Sequence, residues 1–343
     1  MNKEKGKWSY SRLLLTLIAI LGITAILSVG SGRYYITPAE VISIFLSKVI
    51  PIQQTWADQA ESVIFTLRLP RIIAAALVGG ALSLSGATYQ GVFKNPLVAP
   101  DILGVSAGAC IGASCAILAG AGNWIIQICA FIGGFLAVAL TTSIPRILKN
   151  KSMMMLVLSG IIVGGMMSST LGLIKYVADP DTQLASIVYW QLGSLAQVTL
   201  KDIYIIAPIT IIAGGVLYLL RWRINILSLG EREAKTLGVD ISFLRGILVI
   251  CATLLTASSV CISGTIGWIG LALPHLGRMI TGPNNVKLIP VSCILGSIFL
   301  MIIDTIARVS SSSEIPLGIL TGMIGAPFYF YLLLRQRKNL QWY

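Results

Sequence analysis

Long apolar runs separated by short polar segments set the pattern of this chain. A bilayer core about 30 Å thick is crossed by roughly 20 apolar residues in helical form. Ten stretches fit that ruler: 13–30, 70–91, 98–119, 124–144, 153–176, 202–220, 242–262, 265–281, 288–307 and 315–334. The third and eighth are interrupted by glycine and proline. Broken helices persist in membranes only where protein or a water-filled cavity covers the freed backbone groups. The pattern predicts an all-α integral membrane protein with about ten transmembrane helices, forming a single domain over 1–343. Three polar connections are longer than tight turns. Residues 31–69 carry Trp56, Asp58 and Glu61 and predict a short surface helix after Thr37-Pro38. Residues 177–201 carry Asp179, Asp181 and Trp190, and 221–241 form a charged insert.

Composition agrees with a membrane protein. The chain is 56% hydrophobic and 11% charged, against roughly 25% charged in soluble domains. Its net charge of +12 suggests nucleic acid as a partner, but the basic residues are dispersed between apolar runs and form no stripe. Their distribution reports orientation instead. With the N-terminus inside, 18 of the 25 Lys and Arg fall on inner segments and 7 on outer ones. The positive-inside rule then places both termini in the cytoplasm. Lys3, Lys5, Lys7 and Arg12 ahead of the first apolar run resemble a signal peptide. The many spans that follow favour a first transmembrane helix kept in the mature chain.

Candidate chemistry is sparse. The six cysteines lie in apolar segments without a CxxC pair, as buried hydrophobes do. One histidine, His275, follows Pro274, and no second ligand-type side chain stands at metal-binding spacing. A buried structural hydrogen bond fits His275 better than a proton relay. No GxxxxGK[ST] phosphate loop occurs, so energy must come from a partner or an ion gradient. Acidic residues sit mostly at span ends or in connections, with Asp304 the nearest exception. An ion-coupled secondary transporter, which needs ionisable groups inside its spans, is therefore the weaker alternative.

The charged insert is the segment "LSLGEREAKTLGVD", 227–240. Ser228 and Glu231 have capping-box spacing, and Gly238 stands where a helix end wants a left-handed residue. A helix of about nine residues, roughly 13 Å long, fits between them. Gly230, Ala234 and Leu237 then form a small apolar stripe, and Glu231 and Lys235 an i, i+4 pair. So short a helix needs packing to persist. It is either a loop helix resting on the membrane surface or a docking helix that a partner approaches closely.

Four further stretches bear on the choice: Arg68-Leu69-Pro70-Arg71; "GATYQGVFKNPLVAPDILGVSAGA", 86–109; "SGTIGWIGLALPHLGR", 263–278; and "IDTIARVSSSSEIPLGILTGMIGAPFYFYLLL", 303–334. Together with "LGEREAKTLGV" they resemble the ABC importer permeases that take up iron–siderophore complexes, haem and vitamin B12. The resemblance covers nearly the whole chain, in order. It implies a permease in a bacterial cytoplasmic membrane, paired with a second permease subunit as a homo- or heterodimer. Two cytoplasmic ATPase subunits would use ATP and Mg, and an extracytoplasmic substrate-binding protein would deliver the cargo. This chain would hold no cofactor and perform no catalysis. A metal chelate, first an iron–siderophore complex, is the implied cargo, with haem and cobalamin as alternatives.

The resemblance also assigns residues. The insert becomes the ATPase-coupling element, with Ser228, Gly230, Glu231, Ala234, Leu237 and Gly238 carrying it. Arg68, Arg71 and Arg308 become docking residues for glutamates of the binding protein, a role that suits the planar guanidinium fork. Snorkelling at the membrane edge is the competing role for these arginines, and Asp304 stands one turn before Arg308 as a possible mate. Asn95, Pro96, Ser159, Met166, Ser169, Pro274 and His275 fall near the translocation path and inner gate. Asn95 equally suits a sharp turn that caps span three, since Pro96 forces it from helix geometry. Small residues of span five equally serve close helix packing. Where the family often carries an Asp-His pair, this chain has Asn284-Asn285.

Overall fold

The computed structural model describes residues 9–337 except 33, 52, 151, 230–233, 235, 237 and 312. Among the described residues the secondary structure is helical throughout. Seven helices are long and apolar enough to cross a membrane. A helix lies in each of the ten predicted stretches. The third and eighth are short, as their glycines and prolines require: α5 spans Val105–Leu118 and α11 spans Ile269–Thr281.

Helix α1 (Tyr10–Gly30) is apolar around most of its circumference and largely exposed. The predicted surface helix is α2, Pro38–Ser47. It starts on a reciprocal capping box: Thr37 N donates to Glu40 Oε2 at 2.9 Å, and Glu40 N donates to Thr37 Oγ1 at 3.3 Å. A short helix α3 (Asp58–Ser62) runs through a π-helical stretch, Val63–Arg68, into α4 (Leu69–Phe93). Pro70 has no N–H to give, and Leu69 N reaches back five residues to Ile64 O. The second span therefore begins well before residue 70.

Helix α4 is the centre of the bundle. Gly79 lies against the backbone of Gly296 in α12 (Asn285–Ser310), and Gly86 against Gly270 in α11. Hydroxyls fasten the same seams. Ser83 Oγ donates to Ser292 O and Ser297 Oγ to Ala76 O, both at 2.7 Å. Helix α10 (Ile241–Ser263) closes the other side of α4 through Ser85 Oγ to Ala252 O at 2.9 Å, and a Tyr89–Thr253 hydroxyl pair at 3.0 Å. The most apolar window of α10 is 78% buried, against 22% for α1 and for α9 (Leu200–Leu229). The latter two therefore form lipid-facing flanks. Helices α6 (Asn123–Ile147) and α7 (Met153–Val177) pack beside α5, and α13 (Leu317–Arg337) lies against α11 and α12.

Two further features differ from the sequence expectation. The connection 177–201 holds a helix, α8 (Gln183–Leu192). Helix α9 runs nine residues past the predicted end at 220. Leu217, Ile224 and Leu227 continue one buried stripe, so packing carries the helix on despite Arg221 and Arg223. Arg221 lies 3.7 Å over the Tyr218 ring, which keeps its charge at the helix surface.

A Cβ at Gly86 would overlap the Gly270 carbonyl, a backbone group that cannot rotate away. Gly86→Ala should destabilise the folded protein by about 1–3 kcal/mol, read as a lower Tm in detergent. An unchanged Tm would show that α4 and α11 are looser than described.

Candidate functional site

The overrun of α9 revises the inner insert. Ser228 has helical backbone in the last turn of α9, so it cannot act as the N-cap of a new helix. Gly230, Glu231 and Leu237 lie outside the described residues, as does the proposed Glu231–Lys235 pair. The far end of the insert behaves as expected. Gly238 has φ +74°, and Val239 N donates to Ala234 O at 3.2 Å, the closing bond of a Schellman turn. Asp240 then caps α10, its Oδ1 accepting from Phe243 N at 3.0 Å. Ala234 is fully buried in the same apolar cluster as Ile224, Leu227, Ile241 and Leu244. This corrects the stripe: Ala234 faces the chain's own core and is not available to a partner.

Beside the insert, three asparagines join α9 to α12. Asn225 Nδ2 donates to Asn284 Oδ1 at 2.8 Å. Asn225 Oδ1 accepts from Asn285 N at 2.8 Å and Asn285 Nδ2 at 2.9 Å. Asn284 also caps α12 through Val286 N at 2.9 Å. At the same end of the bundle, Arg278 Nη1 donates to Gln90 Oε1 at 2.6 Å, and Gln90 Nε2 reaches Val98 O at 3.2 Å and Gly270 O at 3.3 Å. Buried Gln90 thus pins the 94–100 turn to α11, a role that no sequence motif marks. Asn95 makes the sharp turn, accepting from Leu97 N at 2.9 Å ahead of the half-buried Pro96. It does not cap span three. Gly104 stands at that helix's N-cap, and Asp101 meets a free N–H of the first turn, its Oδ1 accepting from Ser106 N at 2.7 Å.

The three arginines at the span ends are not presented to solvent. Arg68, Arg71 and Arg308 are each more than nine-tenths buried. Arg71 Nε donates to Asp304 Oδ1 at 2.7 Å, and its Nη1 lies 2.8 Å from Glu314 Oε2. Arg308 Nε stands 3.1 Å from Asp304 Oδ2, close but not aligned as a hydrogen bond, and its Nη2 donates to Ser28 O and Oγ. Arg68 donates to the carbonyls of Val29 and Gly30 at the end of α1 and of Tyr34 in the connection that follows. The docking assignment is corrected accordingly: in this conformation the three guanidiniums tie α1, α4, α12 and Glu314 together. Spacing foretold the Arg308–Asp304 pair, whereas nothing marked Glu314. Outside the spans, Asp179 accepts from the hydroxyl and N–H of Thr182, which holds its carboxyl below the usual range.

The predicted path residues separate. Met166 and Ser169 are exposed on α7, whereas Ser159 is buried and donates to Met155 O at 2.7 Å, so it lines nothing. Ser168, beside Ser169, lines a cavity of about 350 Å³ with Asp101, Ser106, Gln191, Thr265 and Trp268. Trp268 holds a left-handed backbone, φ +71°, and its ring fits against Gly325. Pro274 and His275 are buried. His275 stacks edge-on to Tyr329 at 5.4 Å with both ring nitrogens unpartnered. The expected structural hydrogen bond is absent at this histidine. Among the described residues no metal-binding cluster occurs.

The FecCD transport family model matches residues 18–335. The chain belongs to the FecCD transport family. It is an ABC importer permease and, with its apolar helices, a multi-pass membrane protein. A molybdate import permease of Haemophilus influenzae is 37% identical over 96% of this chain and 98% of its own length. An iron chelatin transport permease of Helicobacter pylori, so named as probable in its description, is 42% identical over 80% of this chain and 83% of its own. A solved structure, described as a putative metal-chelate type ABC transporter in an inward-facing conformation, superposes with TM-score 0.86 at 37% identity. The match covers 95% of this chain and 99% of that one.

The FecCD outer cluster gives a stability test. Asp304→Ala strands Arg308 and half of the Arg71 contacts in a buried site, which should cost about 3–5 kcal/mol. Asp304→Leu with Arg308→Leu should recover part of the loss, because Arg71 keeps Glu314. Equal Tm values for the single and double variants would show that the cluster is not held by charge.

Proposed function

We propose that this FecCD permease carries an iron chelate of the siderophore class inward across a bacterial cytoplasmic membrane. Ten spans with both termini inside, a second permease subunit, two ATPases and an outer binding protein complete the assembly. The observation that carries the cargo is the full-length likeness to a metal-chelate type transporter, supported by the iron chelatin relative. A second cargo, molybdate, is favoured by the Haemophilus relative, which aligns along nearly all of both chains. Haem and cobalamin remain alternatives within the family.

In this scheme ATP and Mg act on the partner ATPases, and residues 228–240 meet them. The binding protein lands on the outer turns that Arg68, Arg71 and Arg308 brace, not on the guanidiniums themselves. Asp304 is committed to two arginines, which weighs against ion coupling, where a carboxylate must be free to exchange its ion.

Gentle purification should recover an ATPase in stoichiometric amount with the permease, and replacing 228–238 by a neutral linker should release it. Recovery of folded permease without any ATPase would remove the scheme. Cells carrying the system should then accumulate labelled ferric chelate, and excess molybdate should not compete. Uptake of labelled molybdate with no chelate uptake would select the second cargo.

A further inference from the structure

The insert at 228–240 hangs from two arms, the inner end of α9 and the start of α10. Any motion imposed on it has to enter the bundle through those arms. The α10 arm is fastened to α4 by Ser85 and Tyr89. Helix α4 is in turn fastened to α12 at several levels. Gly79 meets Gly296 in the middle, Ser83 and Ser297 bridge the seam, and Arg71 binds Asp304 at the outer end. The α4–α12 pair therefore moves as one body, and α12, with 26 residues, is about 39 Å long. The α9 arm meets that body where Gly91, Ile224 and Asn285 converge.

We infer that Asn225 is a positioning residue that joins the α9 arm to the α4–α12 body, so that the insert drives both arms together. Both ends of its amide serve this joint: one N–H goes to Asn284, and the oxygen takes both the main-chain and side-chain donors of Asn285. Asn285 is almost completely buried, while Asn225 is only half-buried. The joint thus sits at the edge of the apolar core, where the α9 extension leaves it. Neutral amides suit a permanent joint, because they bond in fixed geometry without the salt dependence of an ion pair. The inference rests on the reading of 228–240 as the ATPase contact, and it gives Asn284-Asn285 a role in this chain.

The test uses the whole transporter in proteoliposomes, with ATP hydrolysis and uptake of labelled ferric chelate measured together. ATPase recovery is scored first for the parent protein. Its absence there would overturn the coupling reading itself and not only the joint. Asn225→Leu should retain the ATPase and continue to hydrolyse ATP, while chelate taken up per ATP falls about tenfold. Asn225→Asp, which keeps the acceptor for Asn285, should fall less. Asn225→Cys with Asn285→Cys, bridged by a short thiol crosslinker, should recover coupling lost in the uncrosslinked pair. A merely structural tie would lower Tm without moving the ratio. An unchanged ratio in Asn225→Leu, or a crosslink that blocks uptake, would overturn the proposal. If Asn225→Leu does not fold, the ratio in Asn225→Asp and in the crosslinked pair decides.

Discussion

Backbone contact between helices in lipid is the constraint on which the rest of this permease depends. Hydrocarbon tails compete with any apolar side chain, so burial alone does not hold such helices together. Close packing and interhelical hydrogen bonds must do it. Gly79 against Gly296 and Gly86 against Gly270 bring α4 within backbone reach of two neighbours. At that separation short side chains suffice to bridge, and Ser83, Ser85 and Ser297 each give their hydroxyl to a carbonyl on the facing helix. Larger residues at the four glycines would leave those hydroxyls too far away. The glycines and serines of α4 thus act as one device.

The polar clusters depend on that seam. At the outer end, Asp304 is fully buried and draws in Arg71 and Arg308. Such a group of charges offers little net stability, because desolvation offsets the attraction. Its value is directional: misplacing any one helix leaves a charge unpaired in a dry site. At the inner end, Gln90, Arg278 and the asparagines define register with neutral or half-exposed contacts. The bundle is therefore pinned at both ends and close-packed between them, and its lipid-facing flanks, α1 and α9, are held to it through Arg68, Arg308 and Asn225.

Hydropathy made the helices legible. All ten apolar stretches contain one, and the glycine- and proline-broken stretches are the short ones. Thr37 and Pro38 announced α2, and Gly238 announced a helix end, because caps are local chemistry. The end of α9 was not legible. Arg221 and Arg223 look like a membrane boundary, and only tertiary packing of Ile224 and Leu227 reveals a continuing helix. The site was legible as segments and less so as contacts. Arginine near a span end reads as exposed, yet Arg68, Arg71 and Arg308 turn inward to groups 39, 243 or 280 residues away. Pairing at such separations leaves no mark in one sequence. The asparagines looked like a departure from a pattern, because the partner that explains them, Asn225, lies 59 residues upstream.

The π-helical stretch before α4 has a consequence for how this family varies. It holds one residue more than an α-helix needs over the same rise. Deleting a residue between Val63 and Arg68 would therefore leave a continuous helix, and the alteration would look harmless in an alignment. The extra residue is taken up inside one wide turn, so the same deletion would leave the segment upstream on nearly its present face of the helix, with Ile64 still buried. What it would remove is the wide turn itself and the bond from Leu69 N to Ile64 O ahead of Pro70. Gaps at this point should accordingly be tolerated by the rest of the bundle.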